Sequence, residues 1–399
     1  VGPTPAHERG AILLRAAAVI ERSADEWGPE LAREEGKTLA EGKGEVLRAA
    51  QVFRYYGNEG DRTAGEIFSS PRRGENILVT RKPLGVIGVV TPFNFPIAIP
   101  AWKIAPALAY GNTVVWKPAS TVPLLAIRLA QALDEAGLPA GVLNLLIGPG
   151  SIGSSIVEHP ELDGLTFTGS TNVGRRLAAE AAGRGVPIQA EMGGKNAAIV
   201  LADADLDLAA EQVMLGASRS TGQKCTATSR LIVADSIADE FLAILKTQAE
   251  ALVVGDPAEG EVQMGPVVND GARKSIRDGI LELPAERQPD LWTEELFGPV
   301  LAVRRAATVE EAFEVANDSE FGLSAALFTQ DVTMALEAVD EIDVGTLHVN
   351  SESAGADPHV PFGGAKKSGY GPKEQGTAAR EFFTHTTTVY LRGGAAGAC

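Results

Sequence analysis

Cys225 stands in the string GQKCTATSR, residues 222–230, where a glycine-containing turn closing a helix would turn a thiol toward a cleft instead of a core. A thiolate held that way is a nucleophile for a carbonyl carbon, although a lone cysteine is more often inert packing. Glu191, in AEMGGK at residues 190–195, falls at a strand end followed by two glycines that allow close approach of backbone and ligand. A carboxylate there can activate water; a solvated strand-end glutamate is the plainer alternative. Asn94, in TPFNFP at residues 91–96, lies between two prolines expected to hold the backbone extended and make its amide a rigid donor suited to an oxyanion. A turn asparagine is the competing reading. Together the thiol, carboxylate and amide suggest thioester formation followed by hydrolysis. The five histidines are scattered and none is near Cys225 in sequence, so a cysteine–histidine hydrolase is the poorer account.

Two glycine-rich turns, GPGSIG at 148–153 and FTGSTNVG at 167–174, each follow an apolar run and open a helical one. Helix N-termini of that kind can receive phosphate, and Lys117 in VVWKPAS offers a cation nearby. Neither turn is the usual dinucleotide fingerprint, and glycines at such turns are often only structural.

These residues need a scaffold, and the chain supplies a βαβ rhythm. Residues up to about 60 alternate apolar and charged positions at helical spacing, as in Ile12, Leu13, Ala16, Val19 and Ile20. Short β-type runs follow at Gly85–Val90, Thr113–Trp116, Val142–Ile147, Leu165–Thr168 and Pro187–Ala190. Between them lie helical segments, one expected over Pro123–Ala136 with Ser120 or Thr121 as its cap and Gly137 at its end. A second run opens at Asn196–Leu201, with a helix around Leu208–Arg219 and a strand at Ser229–Val233, so a lobe boundary is placed near Gly193-Gly194. Strands separated by helices make a parallel sheet, and the fold class is α/β with two lobes. At 399 residues the chain is too long for one small core.

Composition removes other classes of function. The formal charge of -17 repels nucleic acid and anionic membrane, and no basic run reverses it, so neither partner is expected. Only Cys225 and Cys399 are present, which argues against a disulfide framework and for a reducing cytoplasm. The most apolar stretch, Phe95–Trp116, is broken by Pro96, Pro100, Lys103 and Pro106, and Val1–Arg9 carries no apolar signal region.

Read together, TPFNFP, VVWKPAS, FTGSTNVG, EMGGK, GQKC, EELFGPV and PFGGAKKSG occur in the order found in the aldehyde dehydrogenase superfamily, which the chain resembles from about residue 5 to 390. The resemblance implies a Rossmann-like dinucleotide domain (1–71 and 84–193), a catalytic domain (194–366) and a β arm (72–83 and 381–393) that makes a homodimer or homotetramer. It implies Cys225 as nucleophile, Glu191 as general base, and Asn94 with the Cys225 amide as oxyanion hole. It places Trp116, Lys117, Ser120, Gly169, Ser170, Glu295 and Phe297 at the cofactor: Lys117 on ribose, Gly169 and Ser170 at the pyrophosphate, Glu295 and Phe297 at the nicotinamide ribose. No metal is implied. The implied cycle is thiolate attack on the aldehyde, hydride transfer to NAD or NADP, and hydrolysis.

Many relatives that prefer NAD carry a glutamate where this chain has Ser120; without that carboxylate a 2'-phosphate is not repelled, so NADP should be accepted. Arg219, six residues before Cys225, matches an arginine of succinate semialdehyde dehydrogenases that holds the substrate carboxylate, and with Phe362 it forms the implied substrate site. The string at 349–376 looks most like the α-ketoglutarate semialdehyde branch, which makes that carboxylated aldehyde the leading substrate. The alternatives are succinate semialdehyde, transfer of the acyl group to CoA, and a non-catalytic protein of the same fold. Two departures stand out: the usual leading segment is lacking, and the spacing from Cys225 to Glu295 is tens of residues short, compressed over Arg273–Pro289.

Overall fold

A computed structural model describes residues 4–62, 65–281 and 288–393. Cys399 and the middle of the compressed stretch lie outside them. Three helices open the chain: α1 (Ala6–Arg22), α2 (Ala24–Glu35) and α3 (Leu39–Gly57). Gly36 ends α2 at φ 99°, and Thr38 starts α3 with a capping box to Glu41. Then come β1 (Gly65–Ser69), β2 (Glu75–Pro83), β3 (Val86–Val90), α4 (Ala98–Ala109), β4 (Thr113–Lys117), α5 (Leu124–Glu135) and β5 (Leu143–Leu145). The first lobe closes with α6 (Ser151–Glu158), β6 (Gly164–Thr168), α7 (Thr171–Gly183) and β7 (Ile188–Glu191).

The second lobe contains β8 (Asn196–Val200), α8 (Leu206–Ser218), β9 (Thr228–Ala234), α9 (Ala238–Glu250), α10 (Asp270–Leu281), α11 (Gln288–Thr293), β10 (Ala302–Ala306) and α12 (Val309–Asn317). It continues through β11 (Phe321–Gly322), β12 (Ser324–Phe328), α13 (Val332–Glu341), β13 (Thr346–Val349), β14 (Ala365–Lys366) and β15 (Gly369–Tyr370). The short α14 (Ala379–Phe383) leads into β16 (Thr384–Arg392).

Two mostly parallel sheets result. One runs β15-β7-β6-β3-β4-β5, with only β15 antiparallel; the other runs β10-β9-β8-β12-β13. Their central strands, such as β6 and β8, are buried along their whole length, as strands covered on both faces must be. In the first lobe α1, α3, α4 and α5 pack one side of the sheet, and α6 and α7 the other. A separate antiparallel sheet, β1-β2-β16, takes in Gly65–Ser69 as well as the arm expected from residue 72. Among the described residues no helix is long and apolar enough to cross a membrane.

The chain order β3, β4, β5 on one side and β6, β7 on the other makes β3 and β6 neighbours across a topological switch, the usual place for a ligand in an open α/β sheet. One expected cap is not used: α5 has no side-chain bond from Ser120 or Thr121, and Glu34 of α2 accepts from Leu124 N at 3.0 and 3.1 Å instead. A tertiary carboxylate has taken the place of a local hydroxyl. Gly137 does end that helix, at φ 84°.

Asn112, fully buried, ties three elements of this lobe together. Its Oδ1 accepts from Gly85 N at 2.9 Å, and its Nδ2 donates to Ala107 O and Phe383 O at 3.1 and 3.0 Å. Asn112→Ala strands these groups away from water, and we expect a loss of about 2–4 kcal/mol in urea unfolding, with kcat of the surviving folded enzyme unchanged.

Candidate active site

Cys225 closes a loop that the chain holds under strain. Ser220, Thr221 and Gly222 all have positive φ, at 52°, 57° and 66°, a conformation costly for the first two. Neighbours over-determine it. Ser220 N donates to Glu41 Oε1 at 2.7 Å, Thr221 Oγ1 to Gly265 O at 2.9 Å, and the Gln223 side chain accepts from Val268 N at 2.9 Å. Asn196, at the start of β8, donates to Cys225 O at 2.8 Å and to Ala227 O at 2.9 Å. The nucleophile candidate is thus pinned from three sides. Asn196 was not picked out from sequence; its signal is only a buried amide at a strand start.

Two cavities share Cys225 in their walls. The first, about 510 Å³, lies along the ends of β3, β4 and β6 at the switch point. Its walls include Asn94, Lys117, Gly150, Thr168, Gly169, Ser170, Glu295 and Phe297. Both glycine-rich turns therefore converge on one space with Lys117. Among the described residues Lys117 has no ion-pair partner, and burial lowers its pKa. Thr168 Oγ1 is buried without a partner. A Cβ on Gly193 would collide with the Glu295 carboxylate, so only glycine lets Glu295 project into the cavity, where it accepts from Gly194 N at 2.8 Å. Phe297, at φ 54°, packs edge-on to Phe93 at 5.7 Å. Orphaned polar atoms, an unpaired cation and glycine-cleared helix starts fit a phosphate-bearing dinucleotide.

Two residues expected at the cofactor, Trp116 and Ser120, do not line this cavity. Trp116 is fully buried and donates from Nε1 to Thr91 Oγ1 at 3.0 Å, because the two-residue period of β4 turns it into the core. Ser120 is exposed in the turn beyond Ala119, and it is Ala119 that reaches the cavity wall.

The second cavity, about 360 Å³, opens on the other side of Cys225. Phe95, Ile99, Trp102 and Phe362 make its apolar wall, with Trp102 and Phe362 rings 5.7 Å apart. Arg219 and Lys224 stand on its rim, both paired to Glu352 at 2.7 and 3.3 Å. Arg48, also on the rim, pairs with Asp357 at 3.1 Å. The expected cation is present, but it already has a counter-ion.

Asn94 borders the first cavity, 2% exposed. Its backbone is not extended as the flanking prolines suggested; residues 93–97 bend and turn, because the chain must swing from β3 directly into α4. Glu191 borders neither cavity. Its Oε2 accepts from Gly364 N at 3.0 Å, and its carboxylate sits near Glu374 and Lys373. Burial and the Glu374 charge push its pKa well above the ordinary range. Behind it runs a buried chain unseen in the sequence. Lys103 on α4 pairs with Glu374 and donates to Thr166 Oγ1 at 3.0 Å, and Thr166 donates to Gln189 at 3.1 Å.

The chain matches the model of the aldehyde dehydrogenase family over residues 2–288 and 283–389, two pieces that meet in the compressed stretch. It is 43% identical to α-ketoglutaric semialdehyde dehydrogenase of Bacillus subtilis, covering 96% of this chain and 86% of that one. It is 40% identical to α-ketoglutarate semialdehyde dehydrogenase of Haloferax volcanii, covering 97% and 87%. Betaine aldehyde dehydrogenase of Staphylococcus aureus, solved in complex with NAD+, superposes with a TM-score of 0.93 at 30% identity, covering 98% and 84%.

Burial, then the charges of Glu295 and Glu191, push the Cys225 thiol up to about 12. A raised thiol pKa leaves a small thiolate fraction that grows with pH. Alkylation of the free protein by iodoacetamide should therefore climb about tenfold per pH unit from pH 7 to 9.5, followed by mass spectrometry of the Cys225 peptide. A plateau near pH 8 would show that burial does not hold the thiol protonated.

Proposed function

The chain belongs to the aldehyde dehydrogenase family, and from that premise we propose that it oxidises α-ketoglutarate semialdehyde to the dicarboxylate with NADP or NAD, through a thioester on Cys225. The observation that carries this reading is that two cavities of different chemistry share one residue, Cys225. One has the features of a dinucleotide site and the other those of an apolar slot with cations at its mouth.

In this reading Lys117, Gly169 and Ser170 hold the ribose and phosphates, with Glu295 and Phe297 at the nicotinamide end. When bound, the cofactor accepts the hydride that the tetrahedral carbon gives up. The Cys225 sulfur adds to the aldehyde carbon, and the developing oxyanion is met by the Asn94 amide and the Cys225 N–H. The thiol proton passes to water as the sulfur attacks, and bound substrate and cofactor would alter the surroundings that raise the thiol. Hydrolysis then requires water beside the thioester carbon. Glu191 takes the water proton, the C–S bond breaks, and the sulfur leaves. Because Glu191 rests on Gly364 N away from both cavities, its side chain must swing toward Cys225 for that step. Ser120 in place of a carboxylate leaves room for a 2'-phosphate.

The names of the relatives from Bacillus subtilis and Haloferax volcanii support the semialdehyde, as does Arg219 on the rim. Its pairing with Glu352 makes the substrate carboxylate a competitor for an ion pair already formed. Water as acyl acceptor is favoured over CoA because Glu191 is retained beside the sulfur's field.

Purified protein given α-ketoglutarate semialdehyde and either cofactor, without CoA, should produce reduced nicotinamide, read by absorbance, and Cys225→Ala should abolish it. An absolute need for CoA would overturn the hydrolytic step. Arg219→Ala should raise KM for carboxylated aldehydes about ten- to a hundredfold while leaving uncharged aldehydes within about threefold. Equal effects on both classes would remove Arg219 from substrate recognition.

A further inference from the structure

The bend that carries Asn94 is gripped by two charged side chains, Lys37 and Glu45, that border the second cavity and take no step in the proposed chemistry. Lys37, in the loop between α2 and α3, and Glu45, on α3, each have side chains only 1% exposed, with Nζ and Oε2 2.7 Å apart. Lys37 Nζ also donates to the backbone carbonyl of Asn94 itself and lies 3.7 Å from the centroid of the Phe95 ring. The other Glu45 oxygen accepts from Ile97 N at 3.0 Å and Ala98 N at 3.1 Å. Those are amides at the start of α4, where Ile97 provides no side-chain cap.

The Asn94 side chain has no comparable support. Its Oδ1 is buried without a partner, and among the described residues no hydrogen bond holds the amide. Where that amide points is therefore set by the backbone of residues 94–98. The backbone is fixed by the three bonds from Lys37 and Glu45. Stability is a poor reason for the arrangement, since desolvating two charges offsets most of their attraction and an apolar pair of similar volume often serves as well. What an apolar pair cannot supply is directional bonding to a carbonyl and two amides.

We infer that Lys37 and Glu45 are positioning residues for the reaction at Cys225, fixing the Asn94 amide in the oxyanion site through its own main chain. This rests on the reading of Asn94 as an oxyanion donor. The charge state suits the task. Burial works against the Lys37 ammonium, but the Glu45 and Glu35 charges outweigh it and hold its pKa above the ordinary lysine value. Burial pushes Glu35 itself up to about 8, so the directly bonded Glu45, 2.7 Å away, is the lysine's principal partner near neutral pH.

A double-mutant cycle in the full-length protein separates positioning from packing and from substrate contact. Lys37→Met should lower kcat about ten- to a hundredfold, as small misplacements of a reacting group do, with KM for aldehyde and cofactor within about threefold. Asn94→Ala alone should lower kcat about a hundred- to a thousandfold. Adding Lys37→Met to Asn94→Ala should cost less than about threefold more, because the amide it positions is gone. Equal losses in both backgrounds would overturn the inference, as would a KM effect with kcat intact, which would make Lys37 a substrate contact. A silent Asn94→Ala would sink the oxyanion reading and this inference with it, whereas a costly Asn94→Ala with additive Lys37→Met would sink the inference alone. Should Lys37→Met not fold, Glu45→Gln and the Lys37→Met/Glu45→Gln pair run through the same cycle and the same outcomes decide it.

Discussion

Desolvation around Cys225 is the constraint to which the rest of the structure answers. Cys225, Glu191 and Glu295 come from three separate strand or loop ends and are buried around one point, so each pays part of the electrostatic cost of the others. Burial raises all three, the thiol to about 12 and Glu295 to about 7, and Glu191 well above its usual range. The Cys225 thiol is consequently protonated near neutral pH. That is a sensible resting condition for a thiol that would otherwise be open to oxidation and alkylation.

The same burial explains how much of the chain is committed to holding a few atoms still. A left-handed run at 220–222 is stabilised by contacts to residues 41, 265 and 268. Asn196 secures the Cys225 carbonyl from β8. Glu191 is anchored on Gly364 by a segment that returns through β14 and β15, the latter pairing antiparallel with β7 at Glu191 itself. Helices that seem remote, α2 and α3, reach the site through Glu41, Lys37 and Glu45. Binding and positioning thus share elements, and the N-terminal helices are part of the active-site wall as well as of the first core.

The two cavities divide the work by chemistry. The cavity proposed for the dinucleotide is made of strand ends, glycines and Lys117, which has no ion-pair partner among the described residues. The substrate side is assembled from α3, α4, the loop before Cys225 and residues 352–362. Its rim is an ion-pair network in which Glu352 holds both Arg219 and Lys224. On the proposed reading, a substrate carboxylate would exchange with that of Glu352, in a chain whose net charge is -17.

Much of this was legible in the residues. Strand runs, the βαβ order and the positions of Cys225, Glu191, Asn94 and Lys117 follow from apolar periodicity and from short strings, because those signals are local and repeat with the geometry of one strand or one turn. What the sequence could not determine was which side chains face each other. Trp116 sits one position from Lys117, yet its side chain is core; Ser120 is replaced as a helix cap by Glu34, ninety residues earlier. The Lys103–Glu374 pair joins residues 271 apart, and Lys37 finds the carbonyl of Asn94 only after the helical hairpin folds over the sheet. Long-range partners of buried charges leave no periodic trace in a sequence, since their choice is made by desolvation, which exists only once the tertiary structure has excluded water.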